Sequence, residues 1–246
     1  MKSYFGLSLL IFAASAGNGV ADDISKLLPP AVERFNSGDV EEVPNFRRHM
    51  VPLLGKLGCN SRACHGSFQG QGDFRLSLFG YDFKMDHEGL SERVDTDAPA
   101  DSYAVQKALL EEPHKGGKRF DKNSWEYNLF VRWIAGGAKS IDVETTPRFE
   151  RLEVTPDELR FRKDGEKIQL KVVAIWSDGS REDVTCLSRF QTNDEVIADI
   201  SDTGEVASHQ AGDTHVVVFY DNGVQPVPVI RPVSSKSGEN YPLVET

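Results

Sequence analysis

Two cysteines and a histidine fall within seven residues, in the run Cys59-Asn60-Ser61-Arg62-Ala63-Cys64-His65. Four residues separate the cysteines, and the histidine directly follows the second one. A glycine-rich stretch over residues 66–80 comes next, which predicts a loop that passes close to a bulky group. This part of the chain decides how the first half of the sequence is interpreted.

The direct succession of Cys64 and His65 is the arrangement that covalent haem attachment requires. Two thiols add to the vinyl groups of the haem, and the histidine after the second cysteine ligates the iron. The usual spacer has two residues, so the two additional residues here are expected to bulge from the attachment loop. We predict one covalently attached haem c, held by Cys59, Cys64 and His65.

Two other interpretations use the same residues. In an oxidising compartment Cys59 and Cys64 can form a local disulfide, with His65 as a bystander. A zinc site would need a fourth ligand, and the third cysteine, Cys186, lies far along the chain. The direct adjacency of Cys64 and His65, which a disulfide does not need, favours haem.

A six-coordinate haem needs a second axial ligand. We rank His114 first, because a proline precedes it and two glycines, Gly116 and Gly117, let the backbone approach a flat cofactor. Met85 is the alternative, since a thioether is a good axial ligand. The other candidates in this part of the chain are His49, Met50 and His87.

The N-terminus predicts export. Lys2 is followed by an apolar run over residues 4–14 and by small residues up to Ala21, which indicates a signal peptide over residues 1–21. The run of about 11 residues is shorter than the roughly 20 that span a bilayer. We expect a periplasmic, extracellular or cell-surface protein without a transmembrane segment after cleavage. An uncleaved membrane anchor is the alternative.

Charge and motif content exclude two classes of function. The net charge of −10 argues against a nucleic-acid partner, because phosphate binding needs clustered lysine and arginine. The sequence contains neither a Gly-x-Ser-x-Gly elbow nor a His-Glu-x-x-His motif, so hydrolase activity has no support. We expect an electron carrier or a binding protein, not an enzyme.

The hydrophobic period changes near Pro147. Before it, residues 124–135 show helical spacing, with Ser124 as the N-cap and Gly136 at the end. After it, residues 167–176 alternate as a strand does, and Asp178-Gly179 supplies a hairpin turn. Further short alternating runs between regular turn signals predict a β-sandwich.

The first half resembles the N-terminal cytochrome c-like domain of large secreted planctomycete proteins. That family shares the four-residue spacer, and the resemblance implies covalent haem and a last helix packed across the helix before the haem loop. The matching runs are Gly58-Cys59-Asn60-Ser61-Arg62-Ala63-Cys64-His65-Gly66, Gly72-Asp73-Phe74-Arg75-Leu76-Ser77-Leu78-Phe79-Gly80-Tyr81-Asp82, Pro113-His114-Lys115-Gly116-Gly117-Lys118-Arg119-Phe120 and Leu129-Phe130-Val131-Arg132-Trp133-Ile134-Ala135-Gly136-Gly137-Ala138.

The second half is similar to bacterial Ig-like domains of group 2. The matching runs are Leu152-Glu153-Val154-Thr155-Pro156, Trp176-Ser177-Asp178-Gly179-Ser180, Asp183-Val184-Thr185 and Ile200-Ser201-Asp202-Thr203-Gly204-Glu205-Val206. Such sandwiches serve as spacers or adhesion modules as often as binding sites. The resemblance therefore leaves a polysaccharide, a surface protein or no ligand as alternatives for this half.

Together these observations predict two domains, a small all-α cytochrome c-like domain followed by an all-β Ig-like sandwich. The expected divisions are a signal peptide (1–21), a haem domain (22–146), an Ig-like domain (147–233) and a disordered tail (234–246). We expect electron transfer or redox sensing with an unspecified redox partner protein. The alternative is a haem-free, disulfide-stapled surface binding or adhesion protein. Long family members continue with two further domains, so a short paralogue or a truncated reading frame is expected.

Overall fold

The computed structural model describes residues 27–66, 68–142, 144–234 and 236. The predicted signal peptide lies outside the described residues, and so does almost all of the predicted disordered tail. Both therefore stay predictions. Among the described helices, none is long and apolar enough to cross a membrane.

The first half of the described chain, here called the helical segment (residues 31–135), contains five short helices. These are α1 (Ala31–Arg34), α2 (Val51–Lys56), α3 (Phe83–Ser91), α4 (Tyr103–Leu109) and α5 (Trp125–Ala135). A π-helical turn, Phe46–Met50, runs directly into α2, and 3₁₀ turns cover Leu78–Gly80 and Pro99–Asp101. The prediction for α5 is confirmed, because the Ser124 side chain caps its first turn and Gly136 ends it.

The second half, here called the sheet segment (residues 149–231), contains ten of the eleven described strands. The strands are β1 (Leu27–Leu28), β2 (Phe149–Thr155), β3 (Leu159–Arg160), β4 (Lys167–Gln169), β5 (Lys171–Trp176), β6 (Arg181–Asp183), β7 (Arg189–Thr192), β8 (Ala198–Ile200), β9 (Glu205–Ser208), β10 (Gly212–Tyr220) and β11 (Gly223–Arg231). They form three sheets, ordered β1-β6-β5-β2, β3-β11-β10-β7 and β4-β9-β8. A 3₁₀ turn, Thr185–Leu187, lies between β6 and β7.

The predicted hairpin is confirmed, and the predicted long strand before it is not continuous. Gly179 adopts a φ of 80° in the turn between the antiparallel strands β5 and β6. Residues 167–176 divide at Leu170, because β4 pairs with β9 in one sheet whereas β5 pairs with β2 and β6 in another. The chain thus changes sheets at a single buried residue.

The predicted fold class, a small all-α domain followed by an all-β sandwich, is wrong. The described residues combine five short helices with eleven strands in three sheets, and strands dominate. Strand β1 precedes every helix but pairs in parallel with β6. Buried apolar side chains of both segments join in one continuous core. Local periodicity identified elements, but it carried no signal that the first half would share a sheet with the second.

Polar contacts fasten the turn before α2 to the sheet segment. Arg47 forms a bidentate ion pair with Asp221, with N–O distances of 2.7 and 3.1 Å. The buried His49 Nε2–H donates to Glu182 Oε1 at 2.8 Å. Because α2 leads into the cysteines, this junction fixes the start of the loop that carries them. The predicted boundary at residue 146 lies between α5 and β2 and stays a prediction.

Candidate functional site

The loop that carries the cysteines begins where α2 ends. The Cys59 N–H donates to the Leu54 carbonyl at 2.8 Å, and the His65 N–H donates to the Cys59 carbonyl at 2.9 Å. The second bond closes the four-residue spacer into a compact turn and brings His65 back beside Cys59. A side chain at Gly66 would place its Cβ 2.0 Å from the Asn60 carbonyl oxygen, so this closure requires glycine.

Both cysteines of the loop carry free thiols, and so does Cys186 in the sheet segment. Burial raises the pKa of Cys59 to about 12, although the nearby Arg119 guanidinium opposes the shift. Thiol–disulfide exchange proceeds through the thiolate. A neutral thiol at Cys59 is therefore a poor partner for spontaneous exchange.

His65 is held as a metal-ligating histidine is usually held. Its Nδ1–H donates to the carbonyl oxygens of Gln71 and Phe74, each at 3.1 Å. Burial is the main cause of a lowered His65 pKa, which favours the neutral ring. A ring nitrogen that donates to a carbonyl leaves the other nitrogen, Nε2, as a lone pair for a metal.

His114 repeats this arrangement on the other side of the site. Its Nδ1–H donates to the Gly117 carbonyl at 2.8 Å, so its Nε2 also has a free lone pair. The ring centroids of His65 and His114 are 6.3 Å apart, and the ring planes lie within 6° of parallel. The structure thus brings together the two histidines that the sequence singled out.

Both histidines and both cysteines line one cavity of about 720 Å³. Helices α2 to α5 supply much of its apolar wall, through Leu54, Leu90, Ala108 and Phe130. Cofactor sites are typically clefts of about 300–1,000 Å³ with mostly apolar walls and a few convergent polar groups. Volume and lining therefore fit a flat, largely apolar cofactor.

Gly116 shows that space beside His114 is kept open. A Cβ at this position would lie 2.8 Å from His114 Cε1, 3.0 Å from His114 Nε2 and 2.8 Å from Arg119 Nη2. Gly116 is absent from the residues with positive φ, so the glycine serves space and not backbone conformation. The free edge of the His114 ring is the edge that a ligated metal would occupy. The residues present therefore fit a haem.

The remaining candidates lie elsewhere. Met85, the alternative ligand, is half-buried on α3 and does not line the cavity. Met50 is buried in the core, His49 contacts Glu182, and His87 Nε2–H donates to the Ala138 carbonyl at 2.7 Å. Among the described residues, no group of three or more His, Cys, Asp or Glu side chains could hold a metal ion.

Sequence reasoning missed the basic residues of the cavity wall. Arg93, Lys107 and Arg119 all line it. Arg119 Nη1–H donates to the Leu57 carbonyl at 3.2 Å, and Nη2 lies 4.0 Å from Cys64 Sγ. The spacing of Lys107 and Ala108 after Tyr103 and Ala104 on one helix face was an available signal for α4, but nothing local marks Arg93.

Comparisons with known proteins give little. No protein-family model and no curated protein matches the chain. The solved structures that match include domains 4 and 5, domains 5–6 and domains 1–6 of the S-layer protein SbsC, each with a TM-score of 0.31 and 17%, 17% and 18% identity. The alignments cover 36%, 38% and 37% of this chain and 54%, 48% and 14% of those chains, so this chain spans about half of the first two. Likeness at this TM-score supports no functional statement.

Proposed function

We propose that this protein carries one covalently attached haem c and transfers electrons outside the cytoplasm. The observation that carries the proposal is the near-parallel pair of His65 and His114 in the cavity that Cys59 and Cys64 border. The ring centroids lie 6.3 Å apart, so a cofactor bound in this cavity would lie close to both histidines.

The residues have separate roles in this proposal. Cys59 and Cys64 would hold the haem through thioether bonds, and His65 and His114, whose rings are oriented by backbone carbonyls, would ligate its iron. When bound, haem supplies a one-electron redox centre. Iron held by two protein side chains would favour electron transfer over the binding of a small ligand. Redox sensing uses the same site and the same coordination.

The location and the relatives form part of the proposal. The N-terminal apolar run supports a periplasmic or cell-surface location, and covalent attachment keeps haem from being lost by dilution there. We propose kinship with the planctomycete secreted proteins that share the four-residue spacer. The electron donor and acceptor would be other exported proteins, and the sheet segment would serve as a spacer or contact a polysaccharide or a surface protein.

Covalent attachment is tested by a pyridine haemochrome spectrum of mature protein made with a c-type haem maturation system. We expect a c-type band that survives denaturation, and its loss in the Cys59→Ser, Cys64→Ser variant. Cys186→Ser is the matched control and should keep the band, because Cys186 does not line the cavity. Folded wild-type protein without a band would overturn the proposal. A Cys59–Cys64 disulfide in that protein would indicate a disulfide-stapled binding protein instead.

Axial ligation is tested separately with carbon monoxide. The ferrous wild-type protein should not bind it, because both axial positions are filled. His114→Ala should bind it and shift the Soret band. Equal binding by both proteins would show that His114 is not a ligand.

A further inference from the structure

The residues that line the cavity are unevenly charged. Four are cations, Arg93, Lys107, Lys115 and Arg119, and none of the described lining residues is Asp or Glu. The chain as a whole has a net charge of −10, so this distribution is not a general excess of basic residues. Cations on the wall of a largely apolar cavity favour an anionic ligand, because each can donate charge-assisted hydrogen bonds to it.

Helix α4 runs along the cavity and gives it two distinguishable ends. At one end the Arg119 N–H donates to the Ala108 carbonyl at 2.7 Å, and Arg119 reaches Cys64. At the other end the Ala104 N–H donates to the Arg93 carbonyl at 2.9 Å. A helical rise of about 1.5 Å per residue separates residues 104 and 108 by about 6 Å. We call these the thiol end and the arginine end.

Arg93 is fixed in place at the arginine end. Its Nη1 and Nη2 groups donate to the carbonyls of Gly89 and Asp73 at 2.9 and 2.6 Å, and its guanidinium lies 4.6 Å from the Phe74 ring centroid. Its carboxylate partner, Glu92, is 75% exposed and does not line the cavity. Because a guanidinium has five N–H donors, these bonds leave capacity for another anion.

The backbone of Lys107 lies next to Ala108, but its side chain leans back along α4 toward Tyr103 and the arginine end, as helical side chains do. Its Nζ donates to the Pro113 carbonyl at 2.6 Å and lies 4.9 Å from the Tyr103 ring centroid. An ammonium group has three donors, so two stay available for an acceptor in the cavity. Arg93 and Lys107 thus offer two cations to one ligand.

Haem carries its vinyl groups on one edge and its two propionate carboxylates on the opposite edge. If the thiols hold the vinyl edge at the thiol end, as the proposed function requires, the carboxylates lie toward the arginine end. We propose that Arg93 and Lys107 bind the propionate carboxylates. The cavity would then favour a porphyrin with two carboxylates, bound in one orientation. This preference would come from the charges of Arg93 and Lys107 and would not require the thioether bonds.

Non-covalent binding tests this proposal. In the Cys59→Ser, Cys64→Ser variant, haemin should bind about tenfold or more tightly than haemin dimethyl ester, the gain from a charge-assisted hydrogen bond. Adding Arg93→Gln or Lys107→Gln should reduce this ratio at least about threefold, and the ratio to the ester corrects for any general change of the cavity. Arg62→Gln and Lys118→Gln remove exposed cations that do not line the cavity, so both should keep the ratio. Equal binding of haemin and the ester, or an unchanged ratio in Arg93→Gln and Lys107→Gln, would overturn the proposal.

The covalent protein provides a second measurement that does not depend on the cysteine variant. Arg93→Gln should lower the reduction potential, because ferric haem carries one more positive charge than ferrous haem and a nearby cation opposes it. It should also move the pH dependence of the potential to higher pH, since the propionates lose a cation that keeps them ionised. A c-type band with an unchanged potential and pH profile contradicts this inference alone, whereas absence of the band contradicts the proposed function.

Discussion

The helical segment and the sheet segment bury their apolar side chains in different ways. The sheet segment fills its core with large side chains, and Leu159, Phe161 and Trp176 are at most 1% exposed. The helical segment also buries large side chains, yet four of its helices surround a cavity of about 720 Å³. Side chains that face an empty space lose dispersion contacts. A ligand that fills this cavity should therefore stabilise the helical segment, whereas the large side chains of the sheet segment are already buried against protein.

The largest expected effect on the free energy of unfolding comes from replacing a buried leucine in each segment. Leu159→Ala should lower the free energy of unfolding by about 4 kcal/mol, because the filled core keeps a new cavity. Leu90→Ala should cost about 2 to 3 kcal/mol in haem-free protein, since Leu90 already borders open space. Attached haem should raise the second cost. Urea unfolding checks both, and equal costs without haem would contradict the comparison.

The junction between the segments should respond to acid. Burial opposes ionisation of Glu182, but His49 and Arg34 outweigh it and hold its pKa below the usual 4.5. The unfolded chain therefore binds this proton more readily, so stability is present above pH 4.5 and is lost as the pH falls through the folded pKa. Glu182→Gln should lower the free energy of unfolding by about 3 kcal/mol near neutral pH. It should also reduce the decrease in stability at low pH, here called the acid limb. Denaturant unfolding from pH 3 to 7 measures it.

Glu88→Gln is the control for this junction experiment. Its side chain is 65% exposed and pairs only loosely with Lys84, at 3.9 Å. An exposed pair of this kind contributes less than about 1 kcal/mol. An acid limb that changes as much in Glu88→Gln as in Glu182→Gln would show that the buried junction does not govern the acid response.

A smaller effect on stability is expected at Gly116. Gly116→Ala should cost about 1 kcal/mol, because the new methyl group collides with movable parts of His114 and Arg119. Gly116→Ala should change carbon monoxide binding more clearly than stability, since a displaced His114 would leave the iron of the proposed haem open to carbon monoxide. Gly117→Ala adds a methyl group in open space but at a φ of 71°, so it separates backbone strain from crowding. A haem-bound Gly116→Ala protein that excludes carbon monoxide would contradict the assignment.

The smallest effect is expected at Met85. Met85→Leu conserves volume and should change the free energy of unfolding by less than about 1 kcal/mol. Because Met85 does not line the cavity, the haem absorption spectrum should be unchanged. A spectral shift would show that Met85, and not His114, ligates the iron.

Local chemistry predicted more of the candidate site than of the fold. The adjacency of Cys64 and His65 and the glycines after His114 singled out residues that the structure brings to one cavity. The carbonyl groups of Gln71 and Phe74 that orient His65 were beyond prediction, since any backbone can supply them. Arg93 was missed for a related reason. Its place in the cavity depends on how α3 and α4 pack, which residue spacing does not encode.

Turn and cap chemistry predicted the elements whose signals lie close together in the chain. Helix α5 begins after Ser124 and ends at Gly136, and Asp178-Gly179 forms the turn of the hairpin. Strand β1 escaped prediction because two residues have no period and their partner β6 lies in the distant second half. The break at Leu170 was not predicted, because the alternation of apolar and polar residues does not show whether a strand continues in one sheet or passes to another.

The pairing of β1 with β6 has a mechanical consequence. In the sheet β1-β6-β5-β2 the two outer strands are β1 and β2, and the helical segment is the chain that connects them. Its two ends are therefore attached to opposite edges of the same sheet. A segment attached at two points rotates less freely relative to the sheet than a segment attached at one. A cofactor bound in the helical segment would keep a fixed orientation relative to the sheets. A surface that binds the sheets would therefore also determine the direction in which the cofactor faces.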